Sequence, residues 1–190
     1  MNKYVSNNSK QFDGKVIIVT GSTQGSGAET AKLFAARGAK AITICGRQEN
    51  KGNQIKKEIE ELGSKCLYVK ADLSNVEDCK KIVALTDQEF GTVHSLVNVA
   101  GYTERGTILS ATLENYENNF NVNTRAPFIL IQEAIKIMIR EKQQNTGPIV
   151  IDLTGPDGNA FVLMGKAKGL AKQLGYDPIA QQDIITEMMS

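Results

Sequence analysis

The chain has 190 residues, 41% hydrophobic and 23% charged, the balance of one compact domain with an apolar core. Its 22 basic and 21 acidic residues leave a formal net charge of +1, too little surplus to hold a polyphosphate backbone, so nucleic acid is not an expected partner. No apolar run reaches the roughly 20 residues that span a bilayer, because Pro127 to Ile139 is interrupted by Gln132, Glu133 and Lys136, so no membrane partner is expected either. Met1 to Lys10 is polar with no apolar leader, and Cys45, Cys66 and Cys79 form no paired framework, which makes a reducing, cytoplasmic setting the expectation.

In chain order, the β-branched run Val16 to Val19 predicts a buried strand ending at Thr20-Gly21. Ala28, Ala31 and Phe34 recur near helical spacing over Ala28 to Ala36, and Arg37-Gly38 closes that helix with a cation and a glycine. Ala41 to Cys45 reads as a second strand, and Ile55, Ile59 and Leu62 form the apolar stripe of a charged helix stopped by Gly63. Cys66 to Val69 is the third strand. Ser74 and Glu77 have the spacing of a capping box opening a helix that runs to Phe90, and Val93 to Val99 is the fourth strand. Thr112 to Lys142 reads as one long helix or two joined near Pro127, since proline removes a donor and bends a helix. Gly147-Pro148 then introduces a fifth strand, Ile149 to Leu153. Such alternation predicts a doubly wound parallel α/β sheet of the Rossmann type.

The string Thr20-Gly21-Ser22-Thr23-Gln24-Gly25-Ser26-Gly27 falls between a strand and a helix. Glycines there permit a tight turn, close backbone approach to a pyrophosphate, and close packing of the helix on the sheet. Its GxxxGxG spacing resembles the short-chain dehydrogenase/reductase family and differs from the GxGxxG of other dinucleotide folds, with Ser26 standing where that family usually has an apolar residue. Asp72-Leu73, Asn98-Val99-Ala100-Gly101 and Asn121-Val122-Asn123 follow at the family's intervals, so the resemblance covers about residues 12 to 151. It implies a cofactor held by Gly21 to Gly27, with Asp72 and its neighbour Leu73 at the adenine. It implies also that Asn98 to Gly101 stabilises the sheet and lines the cleft, with Val99 in place of the usual second asparagine, and that Asn123 supports a proton relay. After the second strand, Cys45-Gly46-Arg47 offers no carboxylate to bond a ribose 2′-hydroxyl, and Arg47 would attract a 2′-phosphate, so NADP is expected over NAD.

The resemblance also implies a Tyr-x-x-x-Lys pair, whose lysine lowers the tyrosine's pKa for proton transfer. None is present: Tyr102 and Tyr116 precede the fifth strand, Tyr176 has Ala180 four residues on, and Lys166 has Val162 four before it. Thr154 stands where relatives carry the catalytic serine, which leaves Asn123 and Thr154 as the catalytic candidates. The tail does not match the family. Gly155-Pro156-Asp157-Gly158 reads as a turn, followed by a helix over Asn159 to Leu174 with Phe161, Met164, Ala167, Ala171 and Leu174 on one face, then by a short helix after Asp177-Pro178. The expected organisation is a disordered segment 1–11, a dinucleotide-binding domain 12–154 truncated after its fifth strand, and a helical tail 155–190 of unrelated or uncertain origin. The expected function is NADP-dependent oxidoreduction of a carbonyl or alcohol. The alternative is a catalytically inactive, truncated or fused remnant whose tail makes protein contacts, and the open sheet edge favours a homo-oligomer. His94, the sole histidine, lies in an apolar strand without partners, so no metal site is assigned.

Overall fold

The computed structural model describes residues 10–104, 106–146 and 179. The chain divides into two units, Met1–Gln143 and Gln144–Ser190, and the architecture below belongs to the first. Its elements are β1 (Val16–Val19), α1 (Gly25–Ala36), β2 (Ala41–Gly46), α2 (Glu49–Glu61), β3 (Lys65–Lys70), α3 (Val76–Phe90), β4 (Ser95–Val97), α4 (Leu113–Phe120) and α5 (Ala126–Thr146). A π-helical turn, Asn121–Arg125, joins α4 to α5.

The strands make one parallel sheet in the order β3-β2-β1-β4. The chain therefore starts at the centre, works outward through β2 and β3, then returns to the other flank of β1, which is the doubly wound arrangement expected. The period of two in the strands sorts their side chains between two cores. Ile17, Val19, Ile42 and Ile44 pack with Ala28, Ala31, Ala35, Ile55 and Ile59 of α1 and α2. Ile18, Cys45 and Val69 pack with Cys79, Ile82 and Val83 of α3 and Leu130 and Ala134 of α5. Burial on both faces explains why β1 is an unbroken apolar run rather than an alternating one. Each of its four side chains is fully buried, and each such residue contributes on the order of 2 kcal/mol of transfer free energy. The polar member of β2, Thr43, is matched by the buried Thr86 of α3, whose hydroxyl lies 2.8 Å from its own and also donates to the Ile82 carbonyl.

Among the boundaries that differ from the sequence reading, three have a clear physical cause. Helix α1 begins at Gly25 rather than Ala28, because the loop glycines themselves enter its first turn. Helix α3 is capped by Asn75, whose side chain accepts from the Glu77 and Asp78 amides, while the Ser74 hydroxyl is turned to Asp72. Strand β4 has three residues, not seven. Before it, the His94 ring replaces a ladder carbonyl, its Nδ1 accepting from the Val16 amide at 3.0 Å; after it, Thr20 captures the departing chain. His94 is thus a strand-end histidine, and partial burial with the nearby charge of Lys15 keeps its pKa below the ordinary value.

The long helical segment does divide near Pro127. The break is the π-helical turn just before it, where the proline ring, lacking an N–H, would crowd the carbonyl of Asn123. The fifth strand, Thr154 and the helix over Asn159 to Leu174 lie outside the described residues, as does the short helix after Pro178 apart from Ile179. No helix among the described residues is long and apolar enough to cross a membrane.

Candidate functional site

Strands β1 and β4 part beyond the Val19–Val97 pair, and in a doubly wound sheet a crevice opens at this point of reversal. Thr20 bridges the opening. Its amide donates to the Val97 carbonyl at 2.9 Å, and its buried hydroxyl accepts from the Val99 and Ala100 amides at 3.1 and 3.2 Å. Gly21 comes next with a φ of 61°, and a Cβ there would stand 2.7 Å from the Ala100 Cα, so both backbone and space require glycine. At Gly27, a Cβ would overlap the Gly21 carbonyl, which is why the first turn of α1 can sit directly against the loop. No side chain caps α1, its first turn carries no acid, and Gly25 faces open space, which leaves amide donors and the positive end of the helix dipole available to an anion.

The loop side chains have separate tasks. Ser22 is fully buried, its hydroxyl donating to the Val19 carbonyl at 2.5 Å and accepting from the Cys45 amide at 3.1 Å, so it joins β1 to β2 and does not face the cleft. Thr23 lines the cleft; Gln24 and Ser26 are exposed, and Gln24 accepts from the Lys51 ammonium of α2 at 2.7 Å.

The opposite wall comes from the ends of β2 and β3. Burial pushes the Cys45 thiol up to about 12, so it is an apolar wall rather than a nucleophile. A Cβ on Gly46 would stand 2.6 Å from the Thr23 hydroxyl, so only glycine lets the two loops meet. Arg47 is exposed on the rim. Burial acts to raise the Asp72 carboxyl, but hydrogen bonds from the Ser74 amide and hydroxyl and the charge of Arg47 outweigh it and hold Asp72 below the usual carboxylate range. The Asp72 amide is itself fixed by the Asp78 carboxylate at 2.8 Å.

Ala100, Gly101, Tyr102 and Val122 complete a cavity of about 180 Å³. Asn123 works on the backbone here. Its amide nitrogen donates to the Tyr102 carbonyl at 2.7 Å and its oxygen accepts from the Tyr102 amide at 2.8 Å, so the π-helical turn anchors the loop after β4. The Tyr102 phenol donates to Glu104 at 2.6 Å, and that bond raises its pKa, the opposite of what a proton-transfer tyrosine requires.

The structure therefore brings Gly21, Thr23, Arg47, Asp72, Leu73, Ala100 and Gly101 to one cleft, with Gly25 and Gly27 in the adjoining first turn of α1. Asn98 is exposed and borders a separate groove beside His94, Ile131 and Ile135, while Val99 packs against the α1 and α2 core. Thr154 is not among the described residues. Thr20, Gly46 and Val122 stand within the quoted motifs but were given no site role by the sequence reading. The position of Thr20 beside Gly21 was a usable local signal, whereas Val122 reaches the cleft only through the fold. The residues present fit a dinucleotide: crevice, glycines where a Cβ would fill the cradle, and uncapped helix amides coincide.

The profile of the short chain dehydrogenase family matches residues 15–152. An uncharacterised oxidoreductase of Thermotoga maritima is 34% identical over 139 residues, covering 73% of this chain and 53% of that protein. The mitochondrial (-)-isopiperitenol/(-)-carveol dehydrogenase of Mentha piperita is 28% identical over 181 residues, covering 90% of this chain and 68% of that one. Among solved structures, a short chain dehydrogenase from Burkholderia cenocepacia in complex with NADP superimposes with a TM-score of 0.65 at 27% identity, covering 86% of this chain and 70% of that one. A short-chain dehydrogenase/reductase from Burkholderia phymatum in complex with NAD gives 0.65 at 25% identity, covering 70% and 47%. The chain spans between about half and two thirds of the length of these curated relatives.

Proposed function

The chain belongs to the short chain dehydrogenase family, and from that premise we propose that it holds NADP(H) in the cleft between Gly21 and Asp72 for oxidoreduction of a carbonyl or alcohol substrate. One observation carries the choice of cofactor: the rim beyond β2 presents Arg47 and no carboxylate, and the Arg47 cation is close enough to act on Asp72. The solved neighbours include both an NADP complex and an NAD complex, so the choice turns on this chain's own rim.

A bound nicotinamide supplies the hydride. The chain's part is to receive the pyrophosphate on the amides of the Gly21–Gly27 loop, to meet a 2′-phosphate with the Arg47 guanidinium, and to bound the adenine side with Asp72 and Leu73. Asn123 serves this reading by holding the Tyr102 backbone, and so the wall next to the reacting end, in place. A reducing, cytoplasmic setting agrees with three free, buried cysteines. The expected tail contacts rest on residues outside the described ones.

The test is fluorescence titration with NADPH and NADH. NADPH should bind at least about tenfold more tightly, a charge-assisted contact being worth roughly 1.5–3 kcal/mol, and Arg47→Ala should remove most of the difference. Equal affinities in the parent would refute the assignment.

A second reading is favoured by one specific observation. None of the five tyrosines is followed by lysine four residues later, and Tyr102, the one phenol lining the cleft among the described residues, has its proton held by Glu104. On this reading the chain binds the dinucleotide without turnover. NADPH oxidation assayed against a panel of aldehydes and ketones separates the two, because the missing acid–base pair alone should reduce the rate by about 10²–10⁴-fold.

A further inference from the structure

We propose that Tyr68 is a positioning residue for cofactor discrimination, its hydroxyl setting the peptide from which Arg47 departs. The proposal rests on reading Arg47 as the partner of the 2′-phosphate. Tyr68 lies in β3 opposite Ile44, two residues from the end of β2, with its ring on the side of the sheet covered by α2. Space for that ring comes from Gly52: a Cβ there would overlap its edge, so the helix passes over the ring only because position 52 has no side chain. Held in this recess, the phenol donates to the Gly46 carbonyl at 2.8 Å. The same oxygen accepts from the Ala71 amide at 3.2 Å, so both of its lone pairs are engaged. On the other side, the Gly46 Cα is closed in by Thr23.

The consequence follows from the planarity of the peptide. The carbonyl of Gly46 and the amide of Arg47 belong to one rigid unit, so a fixed oxygen fixes the place of the Arg47 Cα and leaves only the φ of Arg47 to turn its side chain. That matters at this position because β2 ends at Gly46 and strand pairing no longer orders the chain beyond it. Arg47 is exposed, and what aims it is the backbone behind it. Tyr68 does not itself line the cleft, so it acts through Gly46 and Arg47.

NADPH and NADH are titrated into the full chain carrying Tyr68→Phe, Arg47→Ala, or both. Phenylalanine keeps the ring in the Gly52 recess and removes only the donor. Tyr68→Phe should weaken NADPH binding roughly 3- to 10-fold, the range for one lost hydrogen bond, and leave NADH within about twofold of the parent. In the Arg47→Ala background the same change should have no further effect on NADPH, the signature of two residues acting as one unit. Amide hydrogen exchange over residues 46–49, measured without cofactor, should be several-fold faster in Tyr68→Phe than in the parent. Equal weakening of both cofactors, an undiminished effect in the Arg47→Ala background, or unchanged exchange would overturn the proposal. If Arg47→Ala abolishes a real NADPH preference while Tyr68→Phe spares it, only the role of Tyr68 fails. If the parent shows no preference, the Arg47 reading has failed first and the Tyr68 proposal falls with it.

Discussion

Strands β1 and β4 are hydrogen-bonded neighbours, yet every residue of β1 is fully buried while the three residues of β4 are only partly so. The helices repeat the contrast. Helices α1 and α2 bury Ala28, Ala31, Ala35, Ile55 and Ile59, whereas α4 buries nothing and α5 leaves Phe128, Ile131, Ile135 and Ile139 exposed. Two parts of one sheet thus differ in how completely the described residues satisfy them. On the face covered by α1 and α2, the chain from β1 to β3 closes its own core, and the glycine loop, Arg47 and Asp72 all stand at the ends of those strands. On α4 and α5, exposures of 51% at Phe120 and 63% at Phe128 leave apolar surface of the kind folded proteins usually cover. The comparison teaches that the nucleotide-facing loops draw their rigidity from one side, that Thr20 is a contact tying the other side to them, and that Asn123 then holds the loop after β4 in place.

Paired truncations should show this contrast most strongly. Ile59→Ala, in the closed core, should cost about 3 kcal/mol, and Ile135→Ala, nearly half exposed, less than about 1 kcal/mol. Urea midpoints measure both, and equal losses would break the distinction. Next in size is Thr20→Val, which strips the Val99 and Ala100 amides of their shared acceptor; it should cost about 1–3 kcal/mol and weaken NADPH binding as well, since Ala100 and Gly101 then lose their register against Gly21. Normal affinity in that variant would mean that the β4 side does not depend on β1 for its placement.

The smallest effect concerns acid. Arg140 of α5 clasps Asp87 of α3 with two hydrogen bonds, at 2.8 and 2.6 Å, and these hold the Asp87 carboxyl below its usual range. A carboxyl whose folded value is depressed lends stability above its unfolded value and loses it as the pH falls through the folded one. The melting temperature should therefore drop more steeply below the ordinary carboxylate range in the parent than in Asp87→Asn. An identical acid slope in the two would show that this clasp, which ties α5 to the closed part, carries no weight.

Much of the fold was legible because its signals are local. Val16 to Val19 announced a strand through its own side chains, and Gly21, Gly25 and Gly27 announced a turn through their spacing. The helix cap was misread as Ser74 for the opposite reason. Asn75 and Ser74 are adjacent and both can cap, and which one does so depends on Asp72, whose carboxylate claims the Ser74 hydroxyl. The length of β4 was overestimated because Val93 and Val99 look like strand residues, whereas the pairing of neighbours is set by His94 and Thr20 across some eighty positions of chain.

The sequence by itself determined the order of strands and helices, the place of the glycine loop, and the presence of Arg47 with no carboxylate at the end of β2, since each depends on residues within a few positions of one another. The tertiary structure alone decided that Ser22 turns inward, that Asn98 faces away from the cleft, that Asn123 grips Tyr102, and that Tyr68 reaches Gly46. Each of these depends on how segments apart in the chain come together, and a side chain's direction there is fixed by packing and register rather than by its neighbours in sequence alone.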